Sequence, residues 1–273
     1  MKVHLWAGMA CIALAAVSCD GGNVTKVEYK AATLDSVRPQ AMETLLKKRI
    51  FFGHQSVGWN IIDGLKDATR ERGWAGFSFV ETRAPALSPG FYHAGIGKNG
   101  DPLGKVKDFE SIMRAGAGDV VDIALMKFCY VDFDGKTEAR GLYEAYAAAL
   151  ARLEAEYPRV VFVRATAPLT TGEGALKALA KSVLGKSTAA SANASRERFN
   201  ELVRADCAAS GKPLFDIALA EAASDDGVVT ERSAGGRRYI ALRDDYSSDG
   251  GHLNEAGREA VAGRLLAALA GLP

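Results

Sequence analysis

Ile50-Phe51-Phe52-Gly53-His54-Gln55-Ser56-Val57-Gly58-Trp59-Asn60 is the stretch from which the architecture can be read. Three apolar residues of strand type stop at Gly53, and a short polar turn follows. From Val57 to Arg70 the apolar residues Ile61, Ile62 and Leu65 return at helical spacing. The unit is therefore buried strand, tight turn, helix. Upstream, the spacing predicts a helix over Pro39–Lys48, with Met42, Leu45 and Leu46 on one side. Downstream, strands are expected at Gly76–Thr82, Val120–Met126, Val160–Val163 and Pro213–Ile217. Helices are expected at Leu103–Met113, Gly141–Tyr157, Ser195–Ser210 and Glu255–Leu269. Strand and helix thus alternate about five times, the pattern of a parallel sheet with helices on both faces. The expectation is an α/β fold: a three-layer α/β/α sandwich around a central, mainly parallel sheet, forming one domain over residues 39–273. In such sheets ligands gather at the carboxyl ends of the strands, so the residues just after each strand carry the functional interest.

Composition narrows the partners. The 34 basic and 33 acidic residues leave a formal charge of +1. They are mixed along the chain without a basic stripe, which argues against a nucleic-acid partner. Residues 1–19 read as an export signal: Lys2, an apolar run from Leu5 to Val17, then Ala16-Val17-Ser18-Cys19. That run is short for a membrane span and suits a signal-peptide core. The small residues before Cys19 resemble a bacterial lipoprotein cleavage site, so Cys19 is the expected lipidation position. The expected location is the cell envelope, at the membrane through that anchor. Residues 20–38 are read as a flexible tether. Cys129 and Cys207 remain in the mature chain, and two cysteines make no disulfide framework.

Two places carry chemistry. Ser56 lies in a strand-to-helix turn, where its side chain is exposed at the sheet edge and a helix N-terminus favours negative charge. Such a serine also reads as an N-cap. Near the other end stands Ser247-Ser248-Asp249-Gly250-Gly251-His252-Leu253-Asn254-Glu255-Ala256-Gly257. A serine nucleophile needs a base, and the base needs a carboxylate to hold its tautomer. Asp249 and His252, three residues apart in a glycine-rich turn, can supply both. No His-Glu-x-x-His, His-x-His or zinc-spaced cysteine pair occurs, so neither metal nor other cofactor is implied. A lipase-type elbow, Gly-x-Ser-x-Gly, does not fit, since His54 stands two residues before Ser56.

Together, the two blocks resemble the SGNH (GDSL-like) hydrolases, which carry a nucleophile after the first strand and Asp-x-x-His before the last helix. Asp249-Gly-Gly-His252-Leu-Asn-x-x-Gly257 fits the closing block, and the resemblance runs from about Ile50 to Leu269. Gly53-His54-Gln55-Ser56 stands where the family usually has Gly-Asp-Ser. The resemblance implies a flavodoxin-like fold and a serine esterase with Ser56, His252 and Asp249 as its triad. It also implies an oxyanion hole from the backbone of Ser56 with a glycine after the second strand, for which Gly97 is the candidate. The family's Gly-x-Asn-Asp is missing after the third strand, where Lys127-Phe128-Cys129-Tyr130-Val131-Asp132 stands. Asn99, Lys127 and Tyr130 are candidates to replace its asparagine. His54 and Tyr130 are candidate substrate contacts. The substrate expected is a small-molecule or glycan ester, such as an O-acetylated carbohydrate. Two other outcomes suit the same residues: acyl transfer to an envelope glycan, and a binding lipoprotein that kept the fold without the chemistry.

Overall fold

The computed structural model describes residues 25–28, 33–74, 77–224, 226–234 and 236–272. The signal segment and Cys19 lie outside them. The elements, in chain order, are β1 (Thr25–Glu28), α1 (Pro39–Leu45), β2 (Arg49–His54), α2 (Val57–Glu71), β3 (Phe79–Glu81), β4 (Gly90–Gly95), α3 (Pro102–Ile112) and a short turn α4 (Gly118–Val120). There follow β5 (Ile123–Met126), α5 (Ala139–Glu156), β6 (Val161–Ala165), α6 (Ala175–Val183), α7 (Ala189–Ser210), β7 (Leu214–Phe215), α8 (Ile217–Ala222), β8 (Val228–Ala234), β9 (Arg237–Tyr239) and α9 (Glu255–Ala270).

Six strands form the central sheet in the order β3-β4-β2-β5-β6-β7, and every pair in it is parallel. The chain enters at β2, steps to the edge at β3, returns through β4 beside β2, then crosses to β5, β6 and β7. β2 is thus where the winding reverses, the position at which an open α/β sheet leaves a crevice at its carboxyl edge. Strand alternation sorts the core into two halves. Ile50, Phe52, Phe91, Ile123, Leu125 and Val163 face one half, with α1, α2, α8 and α9. Phe51, Tyr92, Ala124, Met126 and Phe162 face the other, with α3, α5 and α7. Both faces of the sheet are covered, which is why its strands read as unbroken apolar runs. The three-layer α/β/α architecture is therefore present.

Helices α2 and α9 determine where the site forms, because Ser56 precedes one and His252 precedes the other. Their crossing is close at Gly64, where a Cβ would come within 2.5 Å of the Arg258 carbonyl oxygen. Val57, Ile61, Leu65, Val261, Leu265 and Leu266 are fully buried along this contact.

Several boundaries differ from the sequence reading. Thr25–Glu28, assigned to the tether, is a strand paired antiparallel with Val228–Glu231 in a second sheet, β1-β8-β9. A polar segment this short shows no apolar periodicity of its own, and its partner lies some two hundred residues away. Strand β4 was not expected as a strand: Gly90-Phe91-Tyr92-His93-Ala94-Gly95 carries glycine at both ends and no β-branched residue. The strand expected from Val120 begins at Ile123, since residues 118–120 close a helical turn. Ile217 opens α8 rather than ending β7, because the Asp216 side chain caps that helix by accepting from the Leu219 N–H at 3.1 Å. Cys129 and Cys207 are both buried and unbonded to each other.

Candidate active site

Ser56 has φ 51° and ψ −115°, and among the described residues it is the one non-glycine with positive φ. A side chain held in this sparsely populated region costs of order 1–3 kcal/mol and persists only where its surroundings over-determine it. The turn lifts Ser56 off the end of β2 at the start of α2, whose first N–H groups have no partner within the helix.

His252 meets it from the opposite end of the chain. The Ser56 Oγ and His252 Nε2 are 2.8 Å apart, and His252 Nδ1 is 2.7 Å from Asp249 Oδ2. The other Asp249 oxygen accepts the backbone N–H groups of His252 at 2.8 Å and Gly251 at 2.9 Å. These backbone bonds, with the imidazole bond, hold the Asp249 carboxyl well below the usual carboxylate range. An ionised carboxylate only accepts, so Nδ1 carries the imidazole proton. Nε2 is then the acceptor facing the serine hydroxyl. The turn is closed by Ser247, whose hydroxyl donates to the His252 carbonyl at 2.7 Å. It is tied to α2 by Asn60 Oδ1, which accepts the Leu253 N–H at 3.2 Å. Asn60 sits one helical turn after Ser56, so one helix supplies both the serine and the anchor of the histidine loop.

Tyr130 completes the cluster. Its ring lies edge-on to His252 with centroids 5.7 Å apart, on the side of the imidazole where Gly251 leaves room for it. Gly251 makes this approach feasible, since a Cβ there would come within 2.7 Å of the ring. Burial and the Asp249 charge raise the Tyr130 phenol above its ordinary range, so it remains an O–H donor. Arg196 fixes its backbone, donating to the Tyr130 carbonyl from Nε at 3.1 Å and Nη2 at 2.8 Å. Two residues on, Asp132 accepts from Cys129 N at 2.6 Å, Gly100 N at 2.8 Å and Lys105 Nζ at 2.6 Å. Lys105 and Asp132 are a wholly buried ion pair. They lock the loop after β5 to the loop after β4.

Four expected roles need correction. The Gly97 N–H is committed to Asp108 Oδ2 at 2.8 Å, so it is not a spare donor for an oxyanion. Asn99 is exposed and its Oδ1 accepts from Lys105 Nζ at 3.1 Å, in the ion-pair network rather than at the serine. His54 is fully buried and cannot touch substrate. Its Nε2 lies 3.1 Å from His93 Nδ1, under the edge of Trp59. Burial pushes His54 down to about 2 and His93 down to about 4, so both imidazoles are neutral. Lys127 is also no direct donor: it is fully buried, and its Nζ reaches the Gln55 carbonyl at 2.6 Å, the Phe128 carbonyl at 3.3 Å and Cys129 Sγ at 3.6 Å.

Next to Asp249, Gly250 and Tyr130 opens a groove of about 410 Å³. Thr170, Thr171, Ser187, Thr188, Lys177 and Glu173 are among its walls. Among the described residues no group of three or more His, Cys, Asp or Glu side chains could hold a metal ion.

No family model and no curated protein matches this sequence. Solved structures similar to it include a protein from Desulfitobacterium hafniense described as a lipolytic protein of the G-D-S-L family. That match has 8% identity and a TM-score of 0.49, covering 81% of this chain and 99% of that one. Another is described as an SGNH hydrolase from Slackia heliotrinireducens, with 16% identity, TM-score 0.47, and 80% and 95% coverage. A third is the periplasmic domain of a lipopolysaccharide acetyltransferase from Salmonella ser. Paratyphi A, with 13% identity, TM-score 0.42, and 84% and 89% coverage. The first two bear the name of the SGNH (GDSL-like) family that the Ser56 and His252 blocks resemble.

Proposed function

We propose that this chain is a serine esterase of the cell envelope, cleaving an ester of a polar alcohol such as an O-acetylated carbohydrate. The observation that carries this reading is the continuous hydrogen-bonded chain Ser56–His252–Asp249, joined across the fold by two helices. Ser56 Oγ attacks the ester carbonyl while His252 Nε2 takes its proton. The protonated imidazole is stabilised by Asp249 and returns the proton to the departing alcohol. Water, activated by the same nitrogen, then releases the acid from the acyl-serine. The Ser56 N–H and the Tyr130 hydroxyl stabilise the oxyanion, Tyr130 standing in for the family's asparagine.

The groove beside Asp249 supports a polar leaving group. The hydroxyl and charged side chains there retain donor and acceptor capacity beyond their protein partners, which a sugar's hydroxyls can use and an acyl chain cannot. The volume is within the range of small-molecule sites. Hydrolysis is favoured over acyl transfer because the His252 side chain is 44% exposed, so bulk water reaches the acyl-enzyme. Export and anchoring at Cys19 rest on the N-terminal sequence alone. The test is labelling of the purified chain, without residues 1–19, by a fluorophosphonate, together with acetate release from acetylated oligosaccharides. Labelling that survives Ser56→Ala or His252→Ala removes the triad from the mechanism. Absence of labelling in folded wild-type protein favours the binding-protein reading instead.

A further inference from the structure

We infer that Lys127 is a positioning residue for the oxyanion hole: from beneath the nucleophile turn its ammonium holds the Gln55 carbonyl, and so aims the Ser56 N–H into the site. The inference rests on the serine-esterase reading above and adds a residue that never touches substrate.

The geometry begins at β5. Lys127 immediately follows that strand, and its backbone N–H extends the ladder to β2 by donating to the Gly53 carbonyl at 3.1 Å. The side chain is thereby carried under the turn that leaves β2, where it is fully buried. Its Nζ donates to the Gln55 carbonyl at 2.6 Å. The Gln55–Ser56 peptide is trans, as are all the described peptides. In a trans peptide the C=O and the following N–H point to opposite sides of one rigid plane. Anchoring the carbonyl inward on Lys127 therefore turns the Ser56 N–H outward. Polarising the carbonyl also strengthens that N–H as a donor, because bonds in such a chain reinforce one another. This supplies a reason for the positive φ of Ser56: the strained turn is over-determined from below by Lys127 and from above by His252.

The alternatives for Lys127 are poorer. A lysine wholly removed from water is costly, and burial depresses its basicity. The Nζ contacts with the Gln55 carbonyl, the Phe128 carbonyl and the Cys129 thiol are all internal. A purely structural role would be met as well by an apolar side chain of the same length.

Lys127→Met tests the inference with two readouts. The sequence holds two glutamines, Gln40 and Gln55, and only Gln55 precedes a serine. Labelling glutamine carbonyls with ¹³C and serine amides with ¹⁵N therefore gives one carbonyl–amide cross-peak, from this peptide alone. The expected result is an upfield move of the Gln55 carbonyl and a shift of the Ser56 amide. With it, kcat on p-nitrophenyl acetate falls roughly tenfold or more, with KM within about twofold, a loss smaller than that of an entire oxyanion donor. Lys127→Gln, which keeps an N–H donor, recovers part of kcat. A folded Lys127→Met protein with an unmoved cross-peak, or with wild-type kcat, overturns the inference. The Gln55 carbonyl also accepts the Gly58 N–H at 3.0 Å. Where Lys127→Met does not fold, the wild-type protein with ¹⁵N-lysine therefore decides: absence of a through-hydrogen-bond coupling between Lys127 Nζ and the Gln55 ¹³C carbonyl overturns it as well. Wild-type protein that neither labels nor hydrolyses brings down the esterase reading, while the cross-peak still reports on the Lys127 bond.

Discussion

The two sides of Ser56 are built on different principles. On the histidine side, Ser247, Asp249, Gly251 and His252 form one turn that satisfies itself, with both oxygens of Asp249 engaged within three residues. On the opposite side, Tyr130 and Lys127 come from the loop after β5, held by Arg196 of α7 and the buried Lys105–Asp132 pair. The first side is local and can be carried in a short motif. The second is assembled from distant elements, and so can change its residues while keeping its shape. The difference teaches why the closing block of this chain resembles the SGNH (GDSL-like) hydrolases closely while the middle block does not.

Substitutions can break this comparison or sharpen it. Ser56→Ala should lower kcat by at least about 10⁴-fold while leaving thermal unfolding nearly unchanged, since the residues of a triad act as a unit. Esterase assay and calorimetry check the pair of outcomes. Asp249→Asn should cost about 10²–10⁴-fold in kcat by presenting the wrong imidazole tautomer. A silent Asp249→Asn would dissolve the distinction between the two sides. Tyr130→Phe should lower kcat by about 10²-fold with little change in KM if its hydroxyl is the transition-state donor. A change confined to KM would make Tyr130 a substrate contact only. Asn99→Ala should alter kcat by less than about twofold, because its partner is Lys105 and not the reacting centre.

A fifth outcome concerns stability beneath Ser56. His54 and His93 sit well below the ordinary imidazole value of about 6.5. As pH falls through that value the unfolded chain takes up protons that the folded chain refuses, so stability is lost on the acid side. The melting temperature should drop between about pH 6.5 and pH 4, and drop less steeply in His93→Gln. A flat profile in wild type would mean that both imidazoles take up protons in the fold as readily as in the unfolded chain.

Much of this was legible before the fold was seen. The apolar runs at residues 50–52 and 160–163 and the helical spacing after Val57 and Glu255 mark elements that exist at nearly those places. Ser56, Asp249 and His252 stand out in the sequence because each occupies a loop position where its residue type has few structural uses in combination, and the fold brings the three within hydrogen-bond distance. Strand β4 escaped notice because it is stabilised by neighbours on both sides rather than by its own propensity. Asn60 stood in the opening block, but nothing in its spacing revealed that its partner would be the backbone of Leu253.

The sequence by itself determined the alternation of strand and helix, the self-capped Asp249–His252 turn and the serine at the start of α2. Each depends on residues within a few positions of one another, where steric preference and local hydrogen bonding decide the outcome. Only the tertiary structure decided that Gly97 spends its amide on Asp108, that His54 is buried against His93, and that Tyr130 and Lys127 flank the serine. A donor's direction is set by whatever partner the packed sheet places within about 3 Å, and that distance couples residues far apart in the chain.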